Sequence, residues 1–168
     1  DQAPLYDFTD VPTGATRTFI FTVTNTGAFG SSLMAGGGLS APFTYNGGAY
    51  PGTGGDCAAT LAPAASCLIE VEYAPTTVAV HNDTIDISYN DGAAVQSATR
   101  DLQGTGVAPA LLDISDAPTY DYGTVATNSI NLKTFTITNN GGFQATSIAD
   151  GLGLAVPFTF SGGTFPGA

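Results

Sequence analysis

The feature that most narrows what this chain can fold into is an alternating run that occurs twice. Thr18-Phe19-Ile20-Phe21-Thr22-Val23-Thr24 leads into Asn25-Thr26-Gly27, and Leu132-Lys133-Thr134-Phe135-Thr136-Ile137-Thr138 leads into Asn139-Asn140-Gly141. Subtracting 21 from 135, or 25 from 139, gives the same spacing of 114 residues, so the chain carries an internal repeat. In the first copy Phe19, Phe21 and Val23 share one face, while Thr18, Ile20, Thr22 and Thr24 share the other. That period of two is the pattern of a half-buried strand.

Other segments repeat around it. Leu5-Tyr6-Asp7-Phe8, after Ala3-Pro4, is matched by Thr119-Tyr120-Asp121-Tyr122, after Ala117-Pro118. Pro42-Phe43-Thr44-Tyr45-Asn46-Gly47-Gly48 returns as Pro157-Phe158-Thr159-Phe160-Ser161-Gly162-Gly163, one residue late. The extra residue falls in a loop, where insertions are tolerated. Between these landmarks lie further strand patterns. Cys67, Ile69, Val71 and Tyr73 are phased inward against Leu68, Glu70 and Glu72. Ile85, Ile87 and Tyr89 follow, and Asn90-Asp91-Gly92 reads as a hairpin turn whose Gly takes the positive φ such turns need. The return strand is expected over Ala94–Leu102, leaving the module through Gly104-Thr105-Gly106.

The fold expected is therefore all-β: tandem immunoglobulin-like β-sandwich modules, the second one incomplete. Residues 1–108 read as a module lacking its first strand, and residues 109–168 as the N-terminal half of a second copy. Ala110–Ser115 is the expected first strand of that copy; its counterpart in the first would precede Asp1. The counterpart of Cys57 would follow Ala168. The chain thus reads as an excerpt of a longer array, with strands from elsewhere completing the half module.

Charge narrows the partners. Three basic residues against fourteen acidic ones give a net charge of −11. Nucleic acid is excluded as a partner, because binding a polyanion needs Lys and Arg to displace its counterions. No run approaches 18 apolar residues, so no membrane insertion is expected in this segment. The partners expected are neighbouring copies of the same module, in the same chain or in another.

The two cysteines, Cys57 and Cys67, lack a nearby His and are not spaced C-x-x-C, which argues against a metal or redox pair. A structural disulfide is expected, and with it an oxidising compartment outside the cytoplasm.

In order and spacing these motifs resemble the bacterial choice-of-anchor D repeats, relatives of the abnormal-spindle/Hydin-type and motile-sperm-protein-like immunoglobulin folds. The resemblance rests on the Phe, Thr and Asn with a following Gly at Phe21–Gly27 and Phe135–Gly141, on Pro42–Tyr45 and Pro157–Phe160, and on the Cys57/Cys67 loop. Tyr73-Ala74-Pro75 and Gln103-Gly104-Thr105-Gly106 add to it, with Tyr73 standing where the family usually places Phe. It implies a structural repeat of an extracellular or cell-surface bacterial stalk or fibre, with no catalytic residues to carry over.

The alternative is an adhesin module that binds glycan or a protein partner through its loops. Its candidate residues are Tyr45 and Tyr50, with Phe160 and Phe165 as their copies, beside Gly-Gly turns where rings could stack on sugar. Packing would produce the same repetition. Glu70 and Glu72 resemble a carboxylate pair, but a solvated strand face accounts for them without a cleft. His81, the only histidine, reads as a turn residue without a patterned nucleophile. No catalytic residue and no resident cofactor are expected. Asp113 and Asp116, near the module junction, are candidates for a stiffening calcium ion, with Asp7 and Asp101 as further oxygen donors. Asp7 recurs as Asp121, which an Asp bonding its own turn would also explain. Lys133 replaces Phe19 at an inward-phased position.

Overall fold

The computed structural model describes residues 5–116 and 118–167; the Ala3-Pro4 opening and Ala117 lie outside the described residues. The chain divides into two compact units, Asp1–Ala108 and Pro109–Ala168.

The first unit is a two-sheet sandwich. Its strands are β1 (Leu5–Pro12), β2 (Arg17–Thr24), β3 (Ser32–Gly36), β4 (Phe43–Tyr45), β5 (Ser66–Tyr73), β6 (Val80–Asn90) and β7 (Val95–Val107). One sheet has the order β1-β7-β6-β3 and the other β2-β5-β4. All pairings are antiparallel except that of β1 with β7, which is parallel.

The inward phase read from the sequence is the one observed. In β5, Cys67, Ile69, Val71 and Tyr73 are all buried, and they lie opposite Val23, Phe21, Phe19 and Arg17 of β2. Phe8 and Val11 of β1, Phe43 and Tyr45 of β4, Ile85 and Ile87 of β6 and Leu102 of β7 meet them in one core. Aromatic rings dominate it: Phe43 stacks on Tyr73 at 4.8 Å, and Tyr6 stacks on Phe19 at 4.0 Å.

The return strand does not leave the module at Gly104-Thr105-Gly106. It runs through them to Val107, paired with β6 on one side and β1 on the other. Glycine is needed there for closeness rather than for a turn: a Cβ at Gly104 would lie 2.6 Å from the Tyr73 ring, and one at Gly106 2.1 Å from the Thr77 carbonyl. His81, expected in a turn, lies within β6 opposite Gly104.

In the second unit, β8 (Leu112–Ile114) pairs antiparallel with β9 (Ile137–Asn139), and a single 3-10 turn spans Ser161–Gly163. Only the last part of the predicted 132–138 strand is in a ladder. The partner that β5 gives β2 has no counterpart among the described residues of this unit, so pairing extends only as far as β8 reaches. The aromatic contacts are nonetheless repeated. Tyr6–Phe8, Tyr6–Phe21, Phe8–Phe43 and Tyr45–Tyr50 return as Tyr120–Tyr122, Tyr120–Phe135, Tyr122–Phe158 and Phe160–Phe165.

Candidate functional site

Tyr45 is 5% exposed, with its ring edge-to-face against Tyr50 at 5.4 Å. Both hydroxyls are buried without a hydrogen-bond partner, and burial pushes the Tyr45 phenol up to about 12. Gly36 makes room for the pair, since a Cβ there would lie 2.3 Å from Tyr50 and 2.6 Å from Tyr45. A ring so enclosed offers no open face for stacking on a sugar.

Glu70 points outward as its phase demands, yet it is not idle. Its Oε2 accepts from the Asn46 side chain at 2.7 Å and from the Gly54 N–H at 2.8 Å. The Asn46 bond first, and the Gly54 bond after it, hold this carboxyl below the usual carboxylate range. Backbone bonds from Glu70 N–H to Pro51 and from Asn46 N–H to Glu70 complete the clamp on the Gly-rich 46–55 loop. That loop carries Cys57 back to β5, where it forms a disulfide with Cys67 at a Cα separation of 4.9 Å.

His81 bridges two hydroxyls, with Nδ1 2.8 Å from Tyr73 and Nε2 3.1 Å from Thr77. Both ring nitrogens are thereby spent on tying β5 to β6 and to the 74–79 connection. Asp7 accepts from the Thr9 N–H and Asp121 from the Gly123 N–H, each at 2.7 Å, so the repeated aspartate bonds its own turn. Asp101 accepts from the Thr84 hydroxyl. Asp113 lies exposed on β8, while Asp116 is paired with Lys133 at 2.8 Å. Among the described residues no group of three or more metal-ligating side chains converges.

One feature had no signal in the sequence. Beside the end of β2 the two sheets part to leave a groove of about 420 Å³, lined by Val23, Asn25, Met34, Leu61, Ile87 and Tyr89 among others. Its lining is mostly apolar and carries no nucleophile–base pair.

The model of the HYDIN/CFA65/VesB-like Ig-like domain matches residues 2–105, more than half of the chain. The chain belongs to this Ig-like family. No curated protein matches the chain. Among solved structures it is similar to the Vibrio cholerae VesB protease, at 20% identity and a TM-score of 0.51, over 60% of this chain and 30% of that one. A PapD-like domain of human CEP192 is similar at 12% identity and a TM-score of 0.47, over 64% of this chain and 84% of that one. The secreted serine protease VesC of V. cholerae gives 20% identity and 0.43, over 60% and 21%. The chain thus spans less than a third of VesB, and at this identity what the two share is the fold.

Proposed function

We propose that the chain is a non-catalytic structural repeat of an extracellular bacterial stalk or fibre, of the choice-of-anchor D kind. The observation that carries this reading is one packing pattern met twice in succession, with the Tyr6–Phe8–Phe43 and Tyr45–Tyr50 contacts rebuilt from residues of the second unit. A repeated packing unit is how a chain gains length without gaining chemistry. The buried disulfide supports a location outside the cytoplasm, where such bonds persist. The Glu70 carboxylate and the lone histidine are engaged in holding a loop and strands, which leaves no assembled acid–base or nucleophile set among the described residues.

In this reading the second unit is an N-terminal half module, and strands from outside residues 109–168 complete it. Its exposed Ile130, Leu152 and Val156, at 87%, 103% and 94%, are the apolar surface such strands would cover. The test is antibody labelling of the module on intact and on lysed source bacteria, combined with force-extension of the parent protein. Surface labelling and regularly spaced unfolding steps are expected. Labelling only after lysis would overturn the proposal, as would specific, saturable binding on a glycan array by the full chain.

A further inference from the structure

Glycine is required after Asn46, and the asparagine itself is what the repeat changes. Gly47 and its counterpart Gly162 both have a positive φ, 83° and 74°, in the left-handed region that glycine enters readily. A Cβ at Gly47 would also lie 2.5 Å from Thr53 Oγ1. The residue before the glycine differs between the copies: Asn46 in the first, Ser161 in the second. Only the first copy thus sets a carboxamide beside a glycine N–H here. That pair loses ammonia more readily than other asparagine pairs, because glycine has no side chain to shield its nitrogen from the asparagine Cγ.

The fold holds this asparagine by its side chain and its backbone. Asn46 Nδ2, the group that leaves as ammonia, donates to Glu70 Oε2 at 2.7 Å. The Asn46 N–H donates to the Glu70 carbonyl at 3.0 Å. The Asn46 carbonyl accepts from the Thr53 N–H at 2.8 Å and from the Thr53 hydroxyl at 3.1 Å. Gly47 itself is exposed, so the restraint is on motion rather than on access to water.

We propose that Asn46 is a site of spontaneous hydrolytic deamidation gated by Glu70, and that its conversion releases the 46–55 loop. In the first step the Gly47 nitrogen gives its proton to hydroxide and bonds to Asn46 Cγ. The Cγ–Nδ2 bond breaks, and the amide takes a proton from water and leaves as ammonia. Water then opens the cyclic imide to aspartate or isoaspartate. The attack needs the side chain to leave Glu70, so its rate follows the population in which the clamp is open. Loss of ammonia makes the change one-way, and charge makes it disruptive. A carboxylate at position 46 stands where Glu70 Oε2 now accepts a 2.7 Å bond, and two like charges at that range do not both stay ionised. Glu70 loses the donor that steadies it, and with it the bond from the Gly54 N–H. The same loop carries Tyr50, whose ring packs on Tyr45, so its release loosens that pair as well. This is a property of the first unit and stands whether or not the stalk reading does.

Peptide mapping by mass spectrometry of the full chain, aged at mildly alkaline pH, tests it. Conversion at Asn46 should be at least about tenfold slower in the folded chain than in urea, the factor that one hydrogen bond to a charged group supplies. Glu70→Ala should speed it at least about tenfold. Asn140-Gly141, the other asparagine–glycine pair, lies in the second unit with its glycine N–H donating to Asn139 Oδ1 at 3.0 Å, and its rate should not change with Glu70. Asn46→Asp reproduces one product directly. In that variant the Thr53 and Gly54 amides should exchange with solvent at least about tenfold faster, while the β2–β5 ladder stays protected. Equal rates at Asn46 in the folded chain and in urea overturn the gate. Equal acceleration at Asn140 in Glu70→Ala overturns the role of Glu70. Unchanged exchange in Asn46→Asp overturns the release of the loop.

Discussion

The Lys133 ammonium lies 4.4 Å from the centre of the Tyr120 ring, in the place where Phe19 stacks on Tyr6 in the first unit. The substitution exchanges one ring contact for another, since a cation over an aromatic face is attracted by the ring quadrupole. The same ammonium reaches Asp116 at 2.8 Å. An inward-phased lysine is thus accommodated without being buried as a charge.

Its partner reports on it. The hydrogen bond from Lys133 holds the Asp116 carboxyl below its ordinary value, and the bond to Asp116 raises Lys133. A carbon-detected NMR titration of Asp116 should give a midpoint below the usual aspartate range. In Lys133→Met the midpoint should return towards 3.8, the value without a partner. An unchanged midpoint would mean the pair does not persist in solution.

Much of the first unit was legible because its strands alternate. Cys67, Ile69, Val71 and Tyr73 show their inward face in the sequence by phase alone, as do Ile85 and Ile87. Phase says nothing about what covers the other face, so the clamp of Glu70 on Asn46 and Gly54 was invisible. Gly104 and Gly106 misled for a related reason: glycine marks both chain turns and tight contacts, and only the approach of Tyr73 and Thr77 distinguishes them. His81 has no alternating neighbours that would place it in a strand. The groove beside Val23 is set by the distance between two sheets, which no local pattern encodes.

The Glu70 clamp makes the first unit acid-sensitive. Its folded pKa is lowered from 4.5, chiefly by Asn46 and next by Gly54. A group depressed on folding contributes stability that is fully present above its unfolded value and is lost as pH falls through the folded one. Melting temperature should therefore fall below about pH 4.5. Glu70→Gln should melt lower at neutral pH and show a shallower acid slope, as read by circular dichroism. Equal slopes would assign the acid loss to other carboxylates.

Reduction tests the staple. Cys57 and Cys67 close a loop of sequence separation 10 and are 5% and 7% exposed. Constraining so short a loop in the unfolded chain stabilises by at most about 3 kcal/mol. Urea unfolding of Cys57→Ser/Cys67→Ser against the oxidised protein should show a loss of about 2–3 kcal/mol, with the sandwich still folded. Complete unfolding without denaturant would show that the aromatic core is weaker than its burial implies.

The passage of β7 over Tyr73 gives the sharpest steric test. Tyr73 is fully buried, stacked on Phe43, and its ring lies where a Cβ on Gly104 would have to go, 2.6 Å away. Neither the ring nor the strand can move freely, because β7 is paired with β6 at Gly104 and with β1 at the flanking Gln103 and Thr105. Gly104→Ala should therefore cost about 1–3 kcal/mol, the range for overpacking a filled core. Tyr73→Leu alone should also destabilise, by opening a cavity and leaving His81 Nδ1 without the Tyr73 hydroxyl. If the clash is the cause, the two losses cannot add: the smaller side chain vacates the space that alanine needs. A double-mutant cycle by urea denaturation should show coupling of about 0.5 kcal/mol or more, and strict additivity would place the cost of Gly104→Ala in the backbone.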